Sequence, residues 1–214
     1  MEQQLLTAAE DYIKTLFARD AGGHDVYHTL RVYRTALILA AETGADPLIT
    51  GLAALLHDAD DEKLFPETSK TKAHAAGFLR EHGVPDETAR GILQIIDDVS
   101  FRGTDSVTPA TAEGRCVQDA DRLDALGAIG TARAFAYGGS RGRAMYDPEE
   151  PPAENMDAAA YRASRSCTVN HFYEKLFLLP GMMQTEPAKK LAEERAAFMR
   201  AFLAQFMREW NGEA

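Results

Sequence analysis

Residues 52–58, LAALLHD, place an imidazole and a carboxylate side by side at the end of an apolar run. Polar groups that follow such a run into a protein interior cost desolvation energy unless a partner satisfies them. A divalent cation satisfies both groups at once, because neutral imidazole and ionised carboxylate are good ligands for transition metals. His57 and Asp58 are therefore the first candidate ligands of a metal site.

Two further residues complete a candidate ligand set. His28 lies upstream in GHDVYH (residues 23–28), and Asp121 lies downstream in QDADRLD (residues 118–124). The apolar residues after His28 recur at helical spacing, which predicts a helix that begins near Asp25. Three helices that converge in a bundle core can present such a set to one ion. A hydrogen-bonded His–Asp pair with two unrelated residues elsewhere is the alternative interpretation.

The ordered quartet, with the strings at 118–137 and 170–176, resembles the HD-domain metal-dependent phosphohydrolases, in particular a bacterial single-domain subfamily. The resemblance implies an all-α helical bundle with one divalent metal ion in its core. Manganese is the first expectation, with cobalt, nickel, iron, magnesium and zinc as alternatives. The resemblance implies these metal ligands: His28, His57, Asp58 and Asp121.

Helical periodicity runs through almost the whole chain, and its length of 214 residues predicts a single domain over residues 1–214. We expect a metal-binding core at about 20–137, a flexible loop at 138–157 and C-terminal helices at 158–211. The pair Asp46-Pro47 predicts the start of a helix, with Asp46 as its N-cap. Thr108-Pro109 predicts the start of a long helix over 110–136.

The net charge of −10 argues against a general nucleic-acid-binding surface. The sequence has no apolar run near the ~20 residues of a membrane span, and its acidic amphipathic start is not a signal peptide, so we expect a cytoplasmic protein. Cys116 and Cys167 need no disulfide partner in a domain of this size. The aromatic stripe of the last helix predicts a core face or a homodimer face: Phe198, Phe202, Phe206 and Trp210.

Asp61 and Glu62 are the candidate catalytic carboxylates. They stand where some members of the resembled family carry a Glu-Asp pair that handles the nucleophilic water, although the order of the two types is reversed here. A carboxylate near an activated water can act as general base, and a solvated loop is the alternative. Asp124 shares a helix face with Asp121 and is expected to orient His28 or a metal-bound water.

Basic and aromatic side chains supply candidate contacts to a phosphorylated substrate. Arg141 and Arg143 lie in the glycine-rich segment beside Tyr146, so a lid that binds phosphate and stacks on a base is one expectation. A helix cap for His24, an ion pair for Arg122 and a solvated loop for 138–157 are the alternatives. The candidate substrate-binding residues are His24, Lys70, His74, Arg122, Arg141, Arg143 and Tyr146.

The predicted activity is metal-dependent hydrolysis of a nucleotide or a related phosphate ester or anhydride. Cleavage of a nucleoside triphosphate to monophosphate and pyrophosphate is the favoured form. Two other classes stay open: a nucleotide-binding regulatory module with a structural metal, and a di-iron oxygenase of HD type. The second class would need more metal ligands than the quartet supplies.

Overall fold

The computed structural model describes residues 2–18, 26–62, 64–99, 106–154, 156, 159 and 163–213. Every regular element within these residues is a helix, and none of them lies in a β-strand, which confirms the predicted all-α class. The chain forms two compact units. The first contains the described residues of 1–100 and 107–121, and the second contains Ser106 and the described residues from Arg122 onward.

The described regular elements of the first unit are the helices α1 to α6. In chain order they are α1 (Glu2–Leu16), α2 (Val26–Thr43), α3 (Pro47–Leu56), α4 (Ala73–Glu81), α5 (Asp86–Val99) and α6 (Ala112–Asp124), whose last three residues belong to the second unit. Residues 50–56 of α3 are all buried, and α3 packs against α1, α2 and α5. A Cβ on Gly51 would lie 2.7 Å from the Leu6 side chain, so glycine permits the close approach of α1 to α3.

The start of α3 confirms the predicted N-cap. Asp46 Oδ1 accepts hydrogen bonds from the N–H groups of Leu48 (2.8 Å) and Ile49 (2.9 Å), and Pro47 occupies the first helical turn. These bonds satisfy two of the N–H groups that a helix start leaves without partners. The cap thereby fixes where α3 begins. His57 follows the last residue of α3 directly.

The second unit contains α7 (Gly127–Ser140), α8 (Thr168–Glu174), a 3-10 helix (Leu176–Met182) and α9 (Glu186–Trp210). Its aromatic cluster is centred on Phe135, whose ring lies 5.8–6.0 Å from the rings of Phe172, Phe202 and Phe206. Two residues of the aromatic stripe on α9 therefore pack inside this unit. Within the part of the chain that the structure describes, no helix is long and apolar enough to cross a membrane.

The predicted single helix over 110–136 is wrong, because the chain breaks between α6 and α7. Leu126 is extended (φ −111°, ψ 165°), and Gly127 has a φ of 72°, which side chains other than glycine rarely adopt. A Cβ on Gly130 would lie 2.1 Å from the Ala125 carbonyl oxygen. The two glycines therefore permit a tight turn between two separate helices.

The predicted bounds of the loop 138–157 and of the helices 158–211 also need correction. Residues 138–140 still belong to α7, and residues 164–167 are not helical. The first two N–H groups of α8 donate to the carbonyl oxygens of Ala144 and Met145, at 2.9 Å each. Because a helix start leaves its N–H groups without partners, these carbonyl groups fix the start of α8 and anchor the loop to it.

Candidate metal centre

Three elements of the first unit bring the candidate ligands together. His28 lies in the first turn of α2, His57 and Asp58 follow α3 directly, and Asp121 lies in α6. His28 Nε2 lies 3.4 Å from Asp58 Oδ2 and 3.4 Å from Asp121 Oδ1. His57 Nε2 lies 3.4 Å from Asp58 Oδ2 and 4.0 Å from Asp121 Oδ1. Four residues from distant parts of the sequence therefore surround one point.

The ring of His57 is oriented for ligation. Its Nδ1 lies 2.8 Å from the Ala54 carbonyl oxygen, which can only accept, so Nδ1 carries the proton and donates it. The lone pair of the neutral ring is therefore on Nε2. That atom is buried and has no hydrogen-bond partner among the described residues. A buried nitrogen without a partner costs free energy, and a cation on Nε2 removes that cost.

The charge of Asp121 also suits ligation. Burial raises the pKa of Asp121, but a hydrogen bond from His28 and the electrostatic effects of the neighbouring His57 and His28 outweigh it, so the pKa lies below its usual value. The carboxylate is therefore ionised at neutral pH, as a metal ligand must be. A neighbouring cation stabilises a buried carboxylate in its charged form, and a divalent ion supplies that charge.

The donor set fits a divalent transition metal. His28, His57 and Asp58 each offer an atom within 4.8 Å of the others, and Asp121 adds a second carboxylate beside them. At metal–ligand bonds of about 2.1 Å, ligands at neighbouring corners of a tetrahedron or octahedron are about 3.0–3.4 Å apart. The separations of 3.4 Å already match the tetrahedral spacing, and the 4.0 Å between His57 Nε2 and Asp121 Oδ1 must shorten by at least about 0.6 Å. Two imidazoles and two carboxylates suit manganese, iron, cobalt, nickel or zinc.

The turn after Asp58 is built around Asp60, a residue that the sequence did not single out. Its side chain is 1% exposed, and its two oxygens accept hydrogen bonds from the N–H groups of His74 (3.1 Å) and Ala75 (3.0 Å) at the start of α4. His74 Nδ1 lies 2.9 Å from the Ala59 carbonyl oxygen and 3.2 Å from Asp60 Oδ1. Both are acceptors, so Nδ1 carries a proton. These hydrogen bonds hold His74 against the turn that follows His57 and Asp58 (residues 57–60, the HD turn), although His74 lies 14 residues after Asp60 in the sequence.

Comparison with known proteins agrees with this centre. The family model described as HD domain matches residues 25–126, which include all four candidate ligands. The Bacillus subtilis protein YpgQ is 36% identical over 203 residues, or 94% of this chain and 91% of YpgQ. The chain belongs to the HD-domain family.

Solved structures share the fold of this HD domain over nearly its whole length. A protein from Lactobacillus plantarum is 40% identical, covers 98% of each chain and has a TM-score of 0.86. An HD-superfamily hydrolase from Bacillus thuringiensis is also 40% identical, covers 99% of each chain and has a TM-score of 0.77. YpgQ in complex with ADP is 30% identical over 97% of this chain and 96% of that one, with a TM-score of 0.77. The chain therefore has the fold of HD-superfamily hydrolases.

The other predicted residues of the first unit lie near the HD turn or on the surface. The N–H of Asp61 donates to the Asp58 carbonyl oxygen (3.1 Å), which holds Asp61 on the same turn as the ligands. Glu62 and Lys70 are exposed. His24 lies outside the described residues.

Two predicted residues at the end of α6 belong to the second unit and have their partners within it. Asp124 Oδ2 accepts a hydrogen bond of 2.6 Å from Arg133 on α7. Arg122 is 4% exposed and donates to the Met182 carbonyl oxygen, also at 2.6 Å. The contact of Arg122 is with a backbone carbonyl group, and Asp124 has a cationic neighbour that the sequence did not indicate. The roles of both residues at the site stay predictions.

The predicted lid residues also have partners inside the second unit. Arg143 donates to the Ser164 carbonyl oxygen at 3.0 Å, and the guanidinium groups of Arg141 and Arg143 lie 5.4 and 5.7 Å from the centre of the Tyr137 ring. The Tyr146 ring packs edge-on against Trp210, with the ring centres 5.4 Å apart. These contacts hold the segment in place and leave the role of its arginines as a prediction.

Proposed function

We propose that this HD domain is a metal-dependent phosphohydrolase that acts on a nucleotide, and that it cleaves a nucleoside triphosphate to the monophosphate and pyrophosphate. The observation that carries the proposal is His57 Nε2, a buried nitrogen that has no hydrogen-bond partner among the described residues and lies near a second imidazole and two carboxylates. The complex of YpgQ with ADP supports a nucleotide as the ligand class. Manganese is the proposed metal, and HD-superfamily hydrolases of the same fold support hydrolysis.

The four ligands would hold the cation at the junction of α2, α3 and α6. When bound, a divalent cation polarises a phosphoryl oxygen and lowers the pKa of water. The proposed general base is Asp61, because the hydrogen bond from its N–H to the Asp58 carbonyl oxygen keeps it on the same turn as the ligands His57 and Asp58. The exposed Glu62 is the second candidate. Catalysis then rests on positioning and on electrostatic stabilisation of the phosphoryl group.

His74 is the proposed phosphate contact of the first unit. Its Nδ1 proton is held by the Ala59 carbonyl oxygen, so Nε2 is the nitrogen left for substrate. A protonated Nε2 donates a charge-assisted hydrogen bond to a phosphate oxygen. Asp60 fixes the start of α4 and thereby the position of the ring.

The test is a release assay with purified protein, Mn²⁺, Co²⁺, Ni²⁺ or Mg²⁺, and a panel of nucleoside mono-, di- and triphosphates. We expect wild type to release pyrophosphate from triphosphates with Mn²⁺. Asp58→Ala should lower kcat at least about a thousandfold, because removing a group central to electrostatic stabilisation costs factors of this order. Glu87→Ala, an exposed carboxylate on α5, is the matched control and should keep wild-type activity.

The same assay separates the alternative classes. Tight nucleotide binding without turnover, combined with a lower melting temperature in Asp58→Ala, would identify a regulatory module with a structural metal. Elemental analysis that finds two iron atoms per chain would identify the oxygenase class. Either result would overturn the proposed hydrolysis.

A further inference from the structure

A cavity of about 260 Å³ in the second unit is lined by three arginines. Arg141 and Arg143 belong to the segment after α7, and Arg165 lies shortly before α8. Asp147, Glu150 and Cys167 complete its polar wall. The cavity is smaller than the ~300–1,000 Å³ of typical small-molecule sites, so it suits a compact ligand.

The two carboxylates of this wall are used by the backbone. Asp147 Oδ1 accepts a hydrogen bond from the Glu149 N–H (2.9 Å), and Glu150 Oε2 accepts one from the Cys167 N–H (3.1 Å). Within the described residues, no carboxylate lies within 4.0 Å of a guanidinium nitrogen of Arg141, Arg143 or Arg165. Three guanidinium groups therefore converge without ion pairs in a chain whose net charge is −10.

Three arginines face two carboxylates in this wall, and Arg143 has a nitrogen with unused hydrogen-bonding capacity. Arg143 Nε is buried and has no hydrogen-bond partner among the described residues. Burial, with the nearby charges of Lys175 and Arg143, lowers the pKa of His171 to about 3. Burial is the larger cause, and the charge of Arg143 adds to it, so this guanidinium group disfavours a further cation nearby and favours an anion.

We propose that this cavity binds an oxyanion of the phosphate or pyrophosphate class. Guanidinium groups match the geometry of phosphate oxygens with paired hydrogen bonds, and three of them can surround one anion. The cavity volume accommodates one or two phosphate groups. The anion is either the phosphate chain of a nucleotide or free phosphate or pyrophosphate. None of the four metal ligands takes part, so the inference does not depend on the proposed hydrolysis.

The test is a calorimetric titration of pyrophosphate, and separately of inorganic phosphate, into the full chain with EDTA present. Arg141→Gln and Arg165→Gln remove exposed side chains, so both variants should keep the fold, which circular dichroism checks. Each is expected to raise the Kd at least about tenfold, and the double variant more, because each loses a charge-assisted hydrogen bond. Arg90→Gln, which removes an exposed arginine of α5, is the matched control and should bind as wild type does.

Steady-state kinetics with Mn²⁺ and a nucleoside triphosphate identify the source of the anion. A higher KM in the double variant would assign the cavity to the phosphate chain of the substrate. An unchanged KM with weakened pyrophosphate binding would assign it to the free anion. Wild-type pyrophosphate affinity in the double variant, or no binding by wild type, would overturn the inference. Binding without hydrolysis of any nucleotide would leave the inference standing and reject the proposed function.

Discussion

At the scale of single residues, the sequence identified the HD pair because its chemistry is local. An imidazole and a carboxylate after an apolar run are recognisable without a structure. The protonation of His57 is not, because it depends on the Ala54 carbonyl oxygen being within 2.8 Å of Nδ1. Asp60 gave no signal either, since its partners at the start of α4 lie 14 and 15 residues away. The sequence shows which residue types are present, whereas the position of a proton on a histidine ring depends on the groups that the fold packs against it.

His171 predicts a pH dependence of stability. Burial and two cations lower its pKa to about 3 from 6.5, so the unfolded chain binds a proton more readily than the folded one between these values. The free energy of unfolding therefore falls as the pH drops through this window. His171→Gln should remove a slope of up to about 1.4 kcal/mol per pH unit, measured by urea unfolding between pH 6.5 and 4.5. Equal slopes in both proteins would contradict this prediction.

At the scale of elements, helix starts were more predictable than helix breaks. Asp46-Pro47 carries a capping side chain and a fixed φ, so the start of α3 follows from two residues. The break between α6 and α7 depends on the φ of 72° at Gly127 inside a string with strong helical periodicity. Periodicity continues across the break because both helices bury apolar faces. A glycine after a helix was the available signal.

Substitution of Gly127 tests this break. A Cβ there would meet a left-handed backbone and lie 3.1 Å from the Arg195 side chain. Gly127→Ala should lower the free energy of unfolding by about 1–2 kcal/mol, measured by urea denaturation. Gly139→Ala is the matched control: it lies in α7 with open space around it and should raise stability by about 0.5–1 kcal/mol. A loss as large at Gly139 as at Gly127 would reject the explanation.

At the scale of the whole molecule, the candidate ligands come from α2, α3 and α6, all within the first unit. The sequence ordered these residues correctly but gave no distances between them, because their convergence depends on how α3 packs against its neighbours. The resemblance to the HD family indicated that these four residues share one site, which helical periodicity alone could not indicate. The division of the chain at Arg122 had no sequence signal, since α6 continues through it without interruption.

Metal binding should therefore stabilise the first unit selectively. A ligand that binds only the folded state raises the free energy of opening by about 2.7 kcal/mol at a hundred times its Kd. Hydrogen exchange measured by mass spectrometry should show slower exchange in α2 and α3 on addition of Mn²⁺, with α9 unchanged. His57→Ala should abolish the difference, because the buried Nε2 is lost. His82→Ala, which removes an exposed histidine, is the control and should respond as wild type does. Protection confined to α9 would place the cation in the second unit and contradict the metal centre derived from His28, His57, Asp58 and Asp121.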